Sequence, residues 1–465
     1  MSAADRLREM VHATGPRLVT AAHPAAAAAG ATALAAGGNA FDAALAACFM
    51  EHIALPMKCG LAGDLVALFR RAGGPVETLV SVGPGALALD QGARLERLGP
   101  CSVGIPGAPH GLAVLHGFGH LDLARVAAPA LIAAEAGMVW TRSGLGYLRQ
   151  AEELLRRHSP ANPYMAGSMP RPGDRLRLPG LGKLLKTFVR DGAALFEGEE
   201  GERLVAAVRA GGGFLTMEDM RCRPARLAPP AEETLPDGSV LRATPAPTGG
   251  PRLISILRET AGRRDTLLQA IRAERLEAKR RGRLALDAGT SVVTAADELG
   301  NAVVVVHSNS FPQFGSGVVL DSGLVLSNRP GRGFDPDAPP GAANAPAAGR
   351  TPATTLHAWS LKRGEEILFG ATPGGVNQLP WNAQMLHDLL GGADLATAVT
   401  NPRWALNEAG DLTVEDGALL PDGHGGRGVP ALSNGSVQQL LRLRPGQLLE
   451  GAADPRMTAL ALAVY

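Results

Sequence analysis

Alanine and leucine recur with helical spacing over residues 24–36 and again over 41–54. Gly37, Gly38 and Asn39 separate the two runs, which predicts two buried helices joined by a tight turn. Stretches 65–70 and 76–82 are short, apolar and flank Ala72-Gly73-Gly74, as the arms of a strand pair do. Residues 108–157 read as helical, punctuated at Pro129 and Gly137. A Pro- and Gly-rich connection follows at 160–178, and helical spacing returns over 180–210. Strand patterning reappears from Ser239, with candidates at 290–295, 302–306, 318–319 and 324–326. The segment 331–350 is rich in Pro, Gly and Ala and reads as a surface loop. Helices at both ends of a chain whose middle is sheet suit a layered arrangement. Pattern alone gives only mixed α and β.

Composition narrows the class. A chain of 465 residues with 46% hydrophobic and 19% charged positions builds two ordinary domains or one large layered one. A net charge of +1, with no basic stripe interleaved with aromatics, argues against a nucleic-acid partner. The Arg-rich run 272–283 reads as a solvated helix or linker face. Cys48, Cys59, Cys101 and Cys222 lie at no metal-ligand spacing and read as reduced thiols, so neither a metal nor a cofactor is expected. The first nine residues are charged and lack an apolar signal core. The run 25–36 is too short for a membrane span, so a cytoplasmic protein without a membrane partner is expected.

Residues 287–303 carry the most specific chemistry: Gly289-Thr290 precedes a strand-patterned run and the Gly300-Asn301 turn. A hydroxyl at Thr290 can attack the Gly289 carbonyl. Hydrolysis of the resulting ester frees Thr290 as a new N-terminus, whose amine can serve as base for its own hydroxyl. An α-amine with a reference pKa of about 7.7–8.0 is largely available near neutral pH, as a lysine is not. Gly289, without Cβ, tolerates the distorted backbone that attack requires.

The segment resembles the nucleophile region of the γ-glutamyltransferases, N-terminal nucleophile (Ntn) hydrolases in which a Thr opens the small subunit. Other blocks match in the family's order: Ala22-His23-Pro24 with Gly37-Gly38-Asn39-Ala40 and Asp42-Ala43-Ala44, Gly60 to Asp64, Val103 to Gly107, Gly213 to Asp219, Pro245 to Gly250, Phe314 to Gly317, and Thr372 to Gly375. The resemblance spans about residues 20–405. It implies a four-layer αββα sandwich with the nucleophile at the start of a central strand. It also implies cleavage into a large subunit, residues 1–289, and a small subunit, 290–465, that stay together as one Ntn-hydrolase domain. Carried over by motif, Ser308 helps activate the nucleophile, with Asn309 and Ser310 beside it as substrate-binding candidates. Gly374 and Gly375 supply the oxyanion N–H groups, and Thr354 and Thr355 stand where a Ser-Ser pair holds the substrate's α-carboxylate.

Four departures follow. Val80 occupies the place of the family's substrate-binding Arg. Arg329 replaces a Gln, and no carboxylate matches the family's Asp. The stretch between Gly250 and Thr290 is short for the family, keeping little beyond Leu253 to Leu257 and the Arg-rich run. A γ-glutamyl zwitterion would leave its charges unpaired there, a cost of several kcal/mol. Arg329 and Arg332 instead predict an acid group approaching from that side. The expected substrate is a non-standard small-molecule acyl or keto-acid compound, including the C–C (oxalyl) hydrolysis attributed to relatives in actinobacterial secondary metabolism. Two alternatives stand beside it: a γ-glutamyl or cephalosporin-acylase-like amide hydrolase or transferase, and an unprocessed, non-catalytic binding protein.

Overall fold

In the computed structural model the described residues are 3–465, without 261, 281–288, 340, 408, 421–424, 434, 436 and 437. Two seven-stranded antiparallel sheets stack face to face. One runs, in spatial order, Leu460–Val464, Arg17–Ala21, Thr290–Ala296, Ala302–Ser308, Asp64–Arg70, Val76–Ser81 and Arg226–Ala228. The other runs His12–Gly15, Leu449–Ala453, Gln439–Leu443, Glu366–Ala371, Trp359–Arg363, Val240–Ala243 and Ala231–Thr234. Helices Pro24–Ala35 and Ala40–Ala54 cover the first sheet. Helices Gly250–Thr260 and Gln378–Leu390 cover the second. The αββα expectation holds.

Period-two alternation along the central strands builds these layers. Val292, Val304 and Val306 join Leu356, Phe369 and Leu441 in the core between the sheets. Val293, Val303 and Val305 point the other way, into the core beneath the two Ala-rich helices. Helix Ala40–Ala54 has no polar stripe because it is covered by sheet and by further helices, whereas Pro24–Ala35 leaves Ala28, Thr32 and Ala35 exposed. All fifteen residues of Ala40–Ala54 are buried.

Several motifs resolve as structural fasteners. Asn39 caps helix Ala40–Ala54 in a capping box with Asp42, and Asp42 also accepts from the backbone of His120 and Leu121. Asp297 closes the Gly300-Asn301 turn by accepting from Leu299, Asn301 and the Asn301 side chain. It reaches across to the backbone N–H of Ala40 as well.

Some sequence expectations change. The N-terminal end carries the expected helices, with strands His12–Gly15 and Arg17–Ala21 between them, but the C-terminal end is strand: Gln439–Leu443, Leu449–Ala453 and Leu460–Val464. Residues 318–319 and 324–326 form only an isolated bridge, Val319 with Val325. The 331–350 segment is more than surface loop: it starts inside the short helix Arg329–Gly333, and Phe334, Asn344 and Ala345 are buried. The stretch ahead of Thr290 holds two helices, Gly250–Thr260 and Leu267–Arg280. Arg275 there is no solvated side chain, for it donates to the carbonyls of Val376, Leu406 and Asn407. The rest of the tether, 281–288, lies outside the described residues.

Candidate active site

Thr290 is the first residue of its strand and pairs directly with Ser308, the last of the next. Opposed residues in an antiparallel ladder share a face, here the one turned toward the second sheet. Both are buried. The Thr290 hydroxyl donates to Ser308 Oγ at 3.3 Å. Ser308 in turn donates to the carbonyl oxygen of Gly289 at 2.9 Å. The hydroxyl that can attack and the carbonyl it would attack are thus joined through one serine. Gly289 has φ +122°, and a Cβ there would lie 2.1 Å from the Ser310 carbonyl oxygen, so only glycine fits.

Ser310 (φ +70°) points its N–H at Ser308 Oγ, 2.9 Å away, and fixes that hydroxyl. Asn309 bonds the Pro56 and Lys58 carbonyls, so it anchors the turn before Gly60. From the second sheet's side, Gln378 Nε2 donates to both Thr290 Oγ1 (3.4 Å) and Thr355 Oγ1 (3.2 Å). Gln378 was missed by sequence reasoning; its only signal is its place three residues past Gly375. Gly374 and Gly375 open the turn that leads into the Gln378 helix. Gly374 has φ +135°, and a Cβ there would fall 2.2 Å from the Trp381 ring. Thr354 donates its backbone N–H to Pro247 O, and Gly249 donates to Leu356 O. The Pro245 to Gly250 block therefore positions both threonines.

Arg329 does not stand open to a substrate acid. It is 1% exposed and its Nε bonds Asp64 at 2.7 Å. Its Nη2 lies 3.5 Å from Ser308 Oγ, and the other Asp64 oxygen accepts from Gly83 N–H. Asp64, also missed, is the carboxylate that the linear comparison could not place beside Arg329. Arg332 stacks on the Phe311 ring, with its guanidinium carbon 5.2 Å from the centroid. Cationic groups gather elsewhere, in a small cleft lined by Gly249, Arg252, Arg275, Thr355, His357 and Gly375. Arg252 there pairs with Glu274. Burial drives His357 down to about 4, so it sits neutral between Thr355 O and Asn382.

The profile described as gamma-glutamyltranspeptidase matches residues 26–281 and 263–464. The chain belongs to that family. It is 27% identical over 542 aligned positions to the acylase ACY 1 proenzyme of Pseudomonas sp. (strain V22), covering 99% of this chain and 96% of that protein. The oxamate amidohydrolase proenzyme of Klebsiella pneumoniae is 27% identical over 507 positions, covering 91% and 94%. The solved cephalosporin acylase of Bacillus halodurans superposes with a TM-score of 0.84 at 24% identity, covering 98% and 97%, and so shares the fold. The chain is an enzyme of the Ntn type, with acyl transfer or amide hydrolysis as its reaction class. Among the described residues no helix is long and apolar enough to cross a membrane.

Proposed function

We propose that this protein cleaves itself between Gly289 and Thr290 and then uses Thr290 to hydrolyse a small acyl substrate bearing an acid group. The relay from Thr290 through Ser308 to the Gly289 oxygen carries the reading. As Thr290 Oγ1 bonds to the Gly289 carbon, its proton passes to Ser308, and Ser308 protonates the former carbonyl oxygen. Collapse breaks the C–N bond, the proton goes to the nitrogen, and water hydrolyses the ester. Thr290 is left with a free amine to serve as base. The backbone N–H groups of Gly374 and Gly375 are the proposed oxyanion donors. Such a donor is typically worth about 2.7–4 kcal/mol of barrier. Residues 1–289 and 290–465 remain together as the two subunits.

For the substrate, the cleft beside Thr355 and Gly375 supports an anionic acyl group, because Arg252 and Arg275 both line it and Glu274 pairs with Arg252, while Arg275 donates to neutral carbonyls. This moves the proposed acid contact away from Arg329, whose charge Asp64 already balances. An oxalyl-type group fits the same description. The Klebsiella relative is named for oxamate, the monoamide of oxalic acid, which has a carboxylate and no ammonium. Amide and C–C cleavage of an oxalyl unit share the carbonyl attack and differ only in the leaving group. A cytoplasmic role in secondary metabolism belongs to the same proposal.

Purified protein assayed with oxamate, a glutaryl anilide and a γ-glutamyl anilide tests it. Turnover of oxamate, the glutaryl anilide or both, which carry a carboxylate and no ammonium, without the γ-glutamyl compound is expected. Preferential γ-glutamyl turnover would refute the pocket reading.

A further inference from the structure

On the reverse side of the Ser308 strand, facing the Ala-rich helices, lies a second cluster that the relay does not use. His52 sits in the last turn of helix Ala40–Ala54, Cys59 in the turn that follows, and His307 immediately before Ser308. All three are buried, and one ligand atom from each lies within 4.8 Å of the others. His307 Nδ1 and His52 Nε2 face each other at 3.3 Å. Two imidazole nitrogens bound tetrahedrally to one ion at about 2.0–2.1 Å would stand about 3.3 Å apart.

We propose that His52, Cys59 and His307 form a structural site for a borderline-soft divalent metal ion, zinc in class. His307 already has the outer partner such ligands use. Its Nε2 is held by Glu51 Oε2 at 2.7 Å, which fixes the tautomer and turns Nδ1 toward the cluster. Glu51 is itself tethered, its other oxygen accepting from Ala22 N–H at 2.9 Å. The charges close: a +2 ion balances one thiolate and the buried Glu51 carboxylate, where unpaired charges would be costly. His52 and Cys59 also line a small cavity otherwise walled largely by apolar side chains such as Leu181, Leu184 and Val325. The contacts present also make a plain hydrogen-bond chain, Glu51 to His307 to His52. That chain leaves Cys59 out, with only a 3.8 Å contact to Leu55 O for its thiol. An ion would draw the thiol in and tie helix, turn and strand together directly behind Ser308.

The test uses the full-length protein, treated with chelator and titrated with Zn²⁺ by calorimetry and with Co²⁺ by absorption. Wild type should take up one equivalent, show a thiolate-to-cobalt charge-transfer band, and melt at a higher temperature when loaded. Cys59→Ser and His52→Gln should lose stoichiometric uptake and the rise in melting temperature. Glu51→Gln should bind about 10–100-fold more weakly, and Cys48→Ser should behave as wild type. Folded, chelator-treated wild type that takes up less than one equivalent overturns the site, whatever the variants do. So does a thiolate band that persists in Cys59→Ser or vanishes in Cys48→Ser.

Discussion

Ser308 stands directly opposite Thr290 in the ladder, yet its hydroxyl donates backward, to the carbonyl oxygen of Gly289. That carbonyl belongs to the peptide bond proposed for cleavage, and the same serine oxygen accepts from the Thr290 hydroxyl.

Wild-type protein should therefore run on a denaturing gel as two pieces, the smaller beginning Thr290-Ser291-Val292 on N-terminal sequencing. Thr290→Ala should stay full-length and inactive. Active material whose only N-terminus is the initiator end would remove the mechanism.

Gly289→Ala should block or strongly slow cleavage while leaving the rest of the fold in place. The added Cβ would overlap the Ser310 carbonyl oxygen, and φ +122° is strained for any L side chain, at about 1–3 kcal/mol. A time course of processing in the purified variant checks this. Normal cleavage would show that the backbone at 289 relaxes freely.

The Arg329–Asp64 pair should behave as a buried ion pair. Arg329→Met or Asp64→Asn alone leaves an uncompensated charge and should lower unfolding free energy by about 3–5 kcal/mol. The double variant should lose less than the sum of the two. Denaturant melts of all four proteins decide it, and strict additivity would mean the pair is not coupled.

Stability should fall as pH drops. Burial holds His357 near 4 in the folded protein, against 6.5 for a solvated histidine side chain. As pH decreases, the unfolded chain takes up this proton first. The contribution is complete above about 6.5 and is lost down through about 4, amounting to about 3 kcal/mol. Urea melts of wild type and His357→Phe across this range should show the steeper pH slope in wild type. Parallel slopes would mean that His357 titrates normally.

Gly374→Ala should reduce kcat more than it raises KM, by about 10²–10³ if its N–H serves the oxyanion. The new Cβ cannot coexist with the Trp381 ring, so the turn must shift. Steady-state kinetics on whichever acid-bearing substrate is turned over checks it, and a variant with unchanged kcat would reassign the donors.

What local sequence could express was legible. Helical spacing over the two Ala-rich runs, the turn at Gly37 to Asn39 and strand patterning over 290–295 and 302–306 all depend on neighbours a few residues apart; each appears, the two strands running on to Ala296 and Ser308. The Thr290–Ser308 register came only with the structure: the loop between the strands, residues 297–301, is centred on Leu299, which leaves Thr290 and Ser308 nine positions out on either arm.

Tertiary structure decided the rest, because those groups meet only after distant strands pair. Asp64 reaches Arg329 across 265 positions of chain, Gln378 reaches Thr290 across 88, and His307 reaches His52 across 255. No spacing rule connects such residues. Their charges and hydrogen bonds become neighbours through the stacking of two sheets and the packing of a helix behind one of them. That is why the bond proposed for cleavage could be named from the linear chain, while the side chains around it could be found only in the folded one.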